Sequence, residues 1–278
     1  MMKTLQLPAL VAFWLFAIFW LGSLQIHAQN TSPAQNTNLI QDTSPTQNTN
    51  SVQDTKPNQE QILVFTKTTG WRHSSIEAGV KAIKKLGEEQ NFQVTQTEDA
   101  FSFHPENLKK YQLVLFLSTT EEVLNESQQK AFEAYIKSGG AYMGIHAAAD
   151  TEYQWPFYNK LVGAYFESHP NNPNVLQATL STTDSSHPAT AHLPAQFQRT
   201  DEWYNYKNIQ PHIQVLLHLE ESSYKGGTQG EEHPIAWYHV SLGGRAFYTG
   251  GGHTEASFEE PDFLQHLLGG IEYCLGRK

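Results

Sequence analysis

Apolar and polar positions divide the chain into three unlike stretches. Ala9 to Leu21 is apolar throughout, residues 29–60 carry almost no apolar side chain, and from Gln61 onward short apolar bursts alternate with polar turns. Within the last stretch, Gln61-Ile-Leu-Val-Phe65 predicts a first strand and Thr66 to Ser75 a polar loop. Ile76, Val80, Ile83 and Leu86 recur at helical spacing, with Ser74 or Ser75 available as a cap and Glu77 in the first turn. Gly87 or Asn91 marks the end of this helix. Phe92 to Gln96 alternates as a second strand, and Leu113 to Leu117 is continuously apolar, as buried parallel strands are. Asn125 opens a helix through Phe132, Tyr135 and Ile136 that stops at Gly139-Gly140, and Ala141 to Ile145 reads as a fourth buried strand. Strand and helix in this alternation predict an α/β fold, a mostly parallel central sheet with helices on both faces.

The second half is less regular. Trp155 to Val162 predicts a short helix ending near Gly163; Val175 to Leu180 and Gln214 to Leu219 predict strands, with a loop between them that carries His187-Pro188 and Asp201-Glu202-Trp203-Tyr204. Pro234 to Val240 and Arg245 to Tyr248 fit an antiparallel pair around Gly243-Gly244. Asp262 is expected to cap a last helix through Phe263, Leu267, Leu268 and Ile271, with Gly276 at its end.

The first two stretches set the domain organisation. A short positive start, the apolar run and Ile26-His27-Ala28 make the three parts of a secretory signal peptide, residues 1–28, cleaved after Ala28. The protein is therefore expected to be periplasmic or secreted, with no stable membrane span after cleavage. An uncleaved anchor is the alternative, and the apolar core is short for a span of about 20 residues. No cysteine lies near the end of the apolar run, which excludes a lipoprotein anchor. Residues 29–60 repeat a Gln-Asn/Asp-Thr-Ser-Pro unit and cannot bury enough apolar surface to fold, so they predict a disordered low-complexity linker. Residues 61–278 then form one folded domain.

Composition narrows the function. A formal net charge of -10 argues against a nucleic-acid partner. A single cysteine, Cys274, excludes an intramolecular disulfide and a thiolate metal cluster. The 13 histidines are the unusual feature. Ala141 to Ile145 ends in His146-Ala-Ala-Ala-Asp150, where an α/β fold places either a ligand site or the nucleophile of an acyl-transfer enzyme; here the elbow position holds His146 and no Ser or Cys follows. Arg72-His73, His146 with Asp150, Glu167 with His169-Pro170, and His253 all follow strands or lie in loops able to fold over one rim. In Gly250-Gly-Gly-His253 the three glycines are expected to let backbone approach a ligand closely while the histidine is presented.

From these residues we take His146, Glu202, His253 and His169 as the candidate catalytic set. His146, His169 and His253 are candidate ligands for a divalent metal, zinc or manganese, because imidazoles with a carboxylate suit such ions. No compact metal-binding spacing such as H-E-x-x-H occurs, so any such site must be assembled from distant segments. Arg72, His73, Asp150, Trp203 and Tyr204 are candidate substrate contacts, since flat aromatic faces beside hydrogen-bonding groups suit a sugar. Trp203 is the expected pocket wall, and Trp237, in an apolar strand, the expected core residue.

The same residues carry a resemblance. Thr69-Gly-Trp-Arg-His73, Gly139 to His146, Trp155-Pro-Phe-Tyr with Leu161-Val-Gly163, His169-Pro170, His187-Pro188, Asp201 to Tyr204, Pro234 to Trp237 and Gly243 to His253 together resemble the ThuA-like, or trehalose-utilisation, domain. The resemblance covers essentially all of the folded domain. It implies a three-layer, flavodoxin-like sandwich similar to class I glutamine amidotransferases, without their cysteine, and a role in carbohydrate catabolism through 3-keto intermediates. Cys274 lies in the last predicted helix, far along the chain from the elbow, so a thiol-acyl mechanism is not expected. Two readings follow: an exported enzyme acting on a glycoside or 3-keto-sugar, or a non-catalytic carbohydrate-binding module. Convergence of His146, Glu202 and His253 on one pocket discriminates them. The sequence leaves the oligomeric state open.

Overall fold

The structure, a computed structural model, describes residues 59–278; the expected signal peptide and all but the last two residues of the expected linker lie outside the described residues. Eleven strands and five helices follow one another as β1 (Glu60–Phe65), α1 (Ile76–Gln90), β2 (Phe92–Thr97), α2 (Pro105–Leu108), β3 (Leu113–Leu117), α3 (Glu126–Lys137), β4 (Ala141–Ile145), α4 (Pro156–Val162), β5 (Tyr165–Ser168), β6 (Val175–Thr182), β7 (Gln196–Glu202), β8 (Asn205–Lys207), β9 (Gln214–Leu219), β10 (His233–His239), β11 (Ala246–Thr249) and α5 (Pro261–Leu275). No helix among the described residues is long and apolar enough to cross a membrane.

Nine strands form one mixed sheet in the order β2-β1-β3-β4-β11-β10-β9-β6-β7. The first five are mutually parallel, in the 2-1-3-4-5 order of a doubly wound flavodoxin-like sheet, and the rest add on antiparallel. Side-chain alternation sorts the layers. Phe116 and Tyr142 meet Phe132 of α3 and Tyr158 of α4. On the other face Leu117 lies against Gly79 of α1, and Phe247 against Gly270 of α5. Both glycines are required by that packing, since a Cβ would stand 2.9 Å from Leu117 and 2.7 Å from Phe247. Trp237 is buried, and its Nε1–H donates to the Val162 carbonyl at 2.8 Å, the core role expected of it.

The antiparallel half bends back over the parallel half. A flat sheet would put β7 four strand spacings, about 19 Å, from β11. Yet the Asp201 carboxylate on β7 accepts from Gly252 N, just beyond β11, at 2.8 Å. This closure is what allows β7 to reach the rim where β4 and β11 end.

Three local expectations are corrected. Asp201 and Glu202 sit on a strand, β7, not in a loop. The strand is hard to read because Arg199 and Asp201 occupy its inward positions, where an apolar alternation would be expected. Helix α5 begins at Pro261, with Glu260 in the cap position, so Asp262 is not its cap; proline fits the first helical position because its missing N–H costs no intrahelical bond. Ser75 occupies the cap position of α1, but its hydroxyl donates to the Gly252 carbonyl at 2.9 Å and makes no cap bond.

Histidines buried far from the rim make stability pH-dependent. Burial pushes His187 and His239 down to about 4 and His266 to about 3. Each is neutral in the native protein, while an unfolded histidine titrates near 6.5. Between those values the unfolded chain binds protons that the native one does not, so stability is full above pH 6.5 and is lost as pH falls toward 4. The expected loss is on the order of 1 kcal/mol per pH unit for each such histidine. Urea unfolding at pH 7, 6 and 5 checks this; an unchanged midpoint would contradict it.

Candidate functional site

Four chain segments leave the C-terminal ends of strands and close over one spot. After β4 the chain turns abruptly at His146, whose φ of 51° lies in the left-handed region. That conformation costs a non-glycine residue on the order of 1–3 kcal/mol and persists only where surroundings enforce it. They do so here: Tyr248 Oη–H donates to the His146 carbonyl at 2.8 Å, and the small, buried Ala147, Ala148 and Ala149 fill the turn. The elbow thus points an imidazole into the molecule. His146 Nδ1–H donates to the Gly250 carbonyl at 2.9 Å, which leaves the Nε2 lone pair directed inward.

The other members converge on that nitrogen. His253 Nδ1 lies 3.2 Å from His146 Nε2 and 3.0 Å from Glu202 Oε2, and Glu202 Oε2 lies 3.4 Å from His146 Nε2. The His73 ring stands edge-on to those of His146 and His253, with centroids 4.8 and 5.2 Å away. His73, His146, Glu202 and His253 each offer one ligand atom, all within 4.8 Å of one another. These four buried or half-buried side chains can hold a metal ion. His73 Nδ1 is buried without a hydrogen-bond partner, an orphaned lone pair that an ion would satisfy. Three imidazoles and a carboxylate are also a fitting donor set for zinc or manganese.

The electrostatics agree. Burial, reinforced by His146 and His253, pushes His73 down to about 3, so it stays neutral with its lone pair free. Burial raises the Glu202 carboxyl, but the facing His146 and His253 imidazoles and the Asn174 amide together outweigh it and hold the group well below the usual carboxylate range. Burial lowers His253, but its contact with Glu202 and the Glu202 and Asp201 charges together outweigh this and raise it. The Glu202 oxygens are differentiated. Oε2 faces the imidazoles, while Oε1 accepts from Asn174 Nδ2 at 2.7 Å and lies 3.6 Å from His169 Nδ1.

Asp201 holds this arrangement from behind. Fully buried, it accepts from the backbone N–H groups of Glu202, Gly252 and His253 at 2.9, 2.8 and 3.1 Å, from Ser257 Oγ–H at 3.1 Å, and pairs with Arg199 Nη1 at 2.7 Å. One carboxylate therefore locks β7 to the loop that presents His253. Gly250 to Gly252 serve the same closure and do not expose backbone to a ligand. A Cβ at Gly250 would stand 2.3 Å from Tyr206 Oη, and one at Gly251 2.5 Å from Arg199 Nη1.

Above the cluster opens a cleft of about 540 Å³, lined by Trp71, Arg72, His73, Asp150, His169 and Tyr204 with Glu202 and His253. Tyr204 packs on His146, with centroids 4.4 Å apart. The short β5–β8 pair brings the His169 segment beside Tyr204. His169 lies on this wall, outside the four-residue group, and its Nδ1 is 2.8 Å from the Pro170 carbonyl. Asp150 takes a hydrogen bond from Tyr153 Oη–H, and burial raises its carboxyl above the ordinary value. Arg72 reaches Glu77 and Glu98 at 2.7 and 2.8 Å. Glu167 is exposed and does not line the cleft.

Trp203 is a correction. It is fully buried, its Nε1–H donates to the Leu176 carbonyl at 2.8 Å, and its ring lines a separate cavity of about 70 Å³ with Leu217, Ile235 and Phe263. Strand alternation turns it away from Glu202, and Tyr204 supplies the aromatic wall instead. Asn174 is a site residue the sequence pattern does not expose. Cys274, buried in α5 with its thiol on the Tyr142 carbonyl at 3.3 Å, takes no part.

Fold and site together define a flavodoxin-like α/β domain with a buried imidazole–carboxylate centre at the carboxyl rim of its sheet. The chain belongs to the ThuA family, whose model, described as trehalose utilisation, matches residues 61–274. Among solved structures it is similar to a ThuA-like protein from Bacteroides uniformis, at 23% identity over 79% of this chain and 92% of that one, TM-score 0.67. A ThuA-like protein from Parabacteroides merdae gives 20% identity over 79% and 91%, TM-score 0.66. The β-galactosidase of Bacillus circulans shares the fold over 78% of this chain and 31% of its own, at 11% identity and TM-score 0.51. No curated protein matches the chain in sequence.

Proposed function

We propose that the protein is an exported enzyme of carbohydrate catabolism that cleaves a 3-keto-glycoside by elimination. The observation that carries this reading is the convergence of three imidazoles and an ionised, buried carboxylate beneath an open cleft. A binding module has no use for so costly a cluster, since burying a charge is unfavourable unless it is paired and hydrogen-bonded. His73, His146, His253 and Glu202 Oε2 would hold a divalent ion. Such an ion, when bound, supplies a Lewis acid suited to a ketone oxygen.

The chain's own groups account for the proton movements. A 3-keto group acidifies the C2 proton. Glu202 Oε1, on the side of the carboxylate away from the imidazoles, accepts that proton, and the C2–H electron pair forms the C1–C2 double bond. The C1–O bond breaks, and His169 donates a proton to the departing oxygen. A 1,2-unsaturated 3-keto-sugar, the double bond conjugated with the C3 ketone, and the free alcohol result, with no water consumed and no net redox change. Asn174 orients Glu202, and Tyr204 and Phe166 exclude water on one side. Asp150 and Arg72 offer partners for sugar hydroxyls. Because His146 is fully buried beneath the cleft, it acts as a ligand and not as the base. The test is product analysis after incubation with a 3-keto-glycoside in ¹⁸O water. Elimination predicts release of the alcohol, loss of deuterium from a C2-labelled substrate and no ¹⁸O in the initial sugar product. A C1-hydroxylated first product carrying ¹⁸O would contradict it.

A further inference from the structure

Trp71 is the feature the proposed chemistry leaves unused. It is 74% exposed, yet it stands at the mouth of the cleft two residues from His73. A single exposed aromatic is ordinary in itself; Trp71 differs from the similarly exposed Phe101 in bordering the cleft. The loop beneath it is firmly built. Thr69 N–H donates to the Thr120 carbonyl at 3.1 Å, Gly70 N–H to Thr120 Oγ1 at 3.3 Å, and Thr120 Oγ1–H to the Trp71 carbonyl at 3.0 Å. Gly70 packs closely against this segment, since a Cβ there would stand 2.6 Å from Glu121 Cγ. On its other side Arg72 is fixed by Glu77 and Glu98. The indole is therefore presented on a held backbone, and it is not a loop-tip residue without constraint.

We infer that Trp71 forms a subsite for a second sugar ring, the one that departs, outside the buried centre. The inference rests on the glycoside reading above. Trp71 lies two positions from His73, a reach of at most about 7 Å along the chain, so the platform lies about one ring beyond the reacting sugar. Its surroundings favour a saccharide over an apolar leaving group. The indole face meets the C–H face of a pyranose, and the half-exposed Arg72 and Glu98 beside it offer donors and acceptors to equatorial hydroxyls. The two-ring substrate thus spans the cleft, one ring over Glu202 and the other on Trp71.

The test compares Trp71→Ala, Trp71→Phe and wild type on a 3-keto-disaccharide and on the methyl 3-keto-glycoside of the same reacting sugar. Trp71→Ala should raise KM for the disaccharide about tenfold with kcat unchanged and leave the methyl glycoside unaffected, and Trp71→Phe should restore most of the loss. Intrinsic fluorescence titrated with the disaccharide reads the same contact without turnover: a shift in wild type that is absent in Trp71→Ala supports the subsite even where no product forms, an outcome that overturns the catalytic reading alone. Equal effects on both substrates, an unchanged titration in Trp71→Ala, or no disaccharide binding by wild type would overturn the subsite.

Discussion

Glu202→Gln should lower kcat on a 3-keto-glycoside by about 10³ while circular dichroism shows the fold unchanged. Glutamine keeps the shape of the side chain and a hydrogen-bonding partner for Asn174. It removes the negative charge that faces His146 and His253 at 3.4 and 3.0 Å, and with it the proton acceptor. General-base removal typically costs 10²–10⁴, and loss of an anionic ligand adds to it. Stability should move little, because the substitution exchanges a desolvated anion for a neutral group in the same space. Steady-state kinetics decide the matter, and equal turnover by the two proteins would remove Glu202 from the mechanism.

Asp201→Ala should be the most destabilising single substitution at the site, by about 3–5 kcal/mol, the usual result of removing one partner of a buried ion pair. The carboxylate satisfies three backbone N–H groups and the Ser257 hydroxyl, besides the Arg199 guanidinium. Its removal strands a buried cation. Glu260, which accepts from Arg199 Nε at 2.6 Å, compensates only in part. It also frees the loop that presents His253, so activity should fall along with stability. Urea unfolding checks the first effect, and a change below about 1 kcal/mol would show that Asp201 does not hold the sheet closed.

The parallel half of this fold is legible because burial on both faces writes itself as apolar runs. Leu113–Leu117 and Ala141–Ile145 are such runs, and α1 shows its buried stripe at Ile76, Ile83 and Leu86. Strand β7 is not legible, since its inward residues are an ion pair, Arg199 with Asp201, satisfied only across the sheet. The elbow at His146 is visible as an apolar strand stopped by a polar residue and small ones. Its association with Glu202 is not visible, because their strands, β4 and β7, lie five places apart and meet only when the sheet bends back. His73 reads as a substrate contact beside Arg72. Only the closing of the β1 loop onto the glycine turn, through Ser75 and Gly252, places its ring against His146 and His253. Asn174, directly after Pro173 with no periodic pattern before it, gives no signal of its role beside Glu202.

The account turns on whether the buried cluster is a metal centre. Elemental analysis of the purified protein, alongside a His146→Ala/His253→Ala variant confirmed as folded, tests this most directly. The account predicts about one zinc or manganese ion per wild-type chain, from the one four-residue donor set among the described residues, and near none in the variant. A wild-type protein without a stoichiometric divalent ion after incubation with both metals, or a variant that retains the same amount, would contradict it.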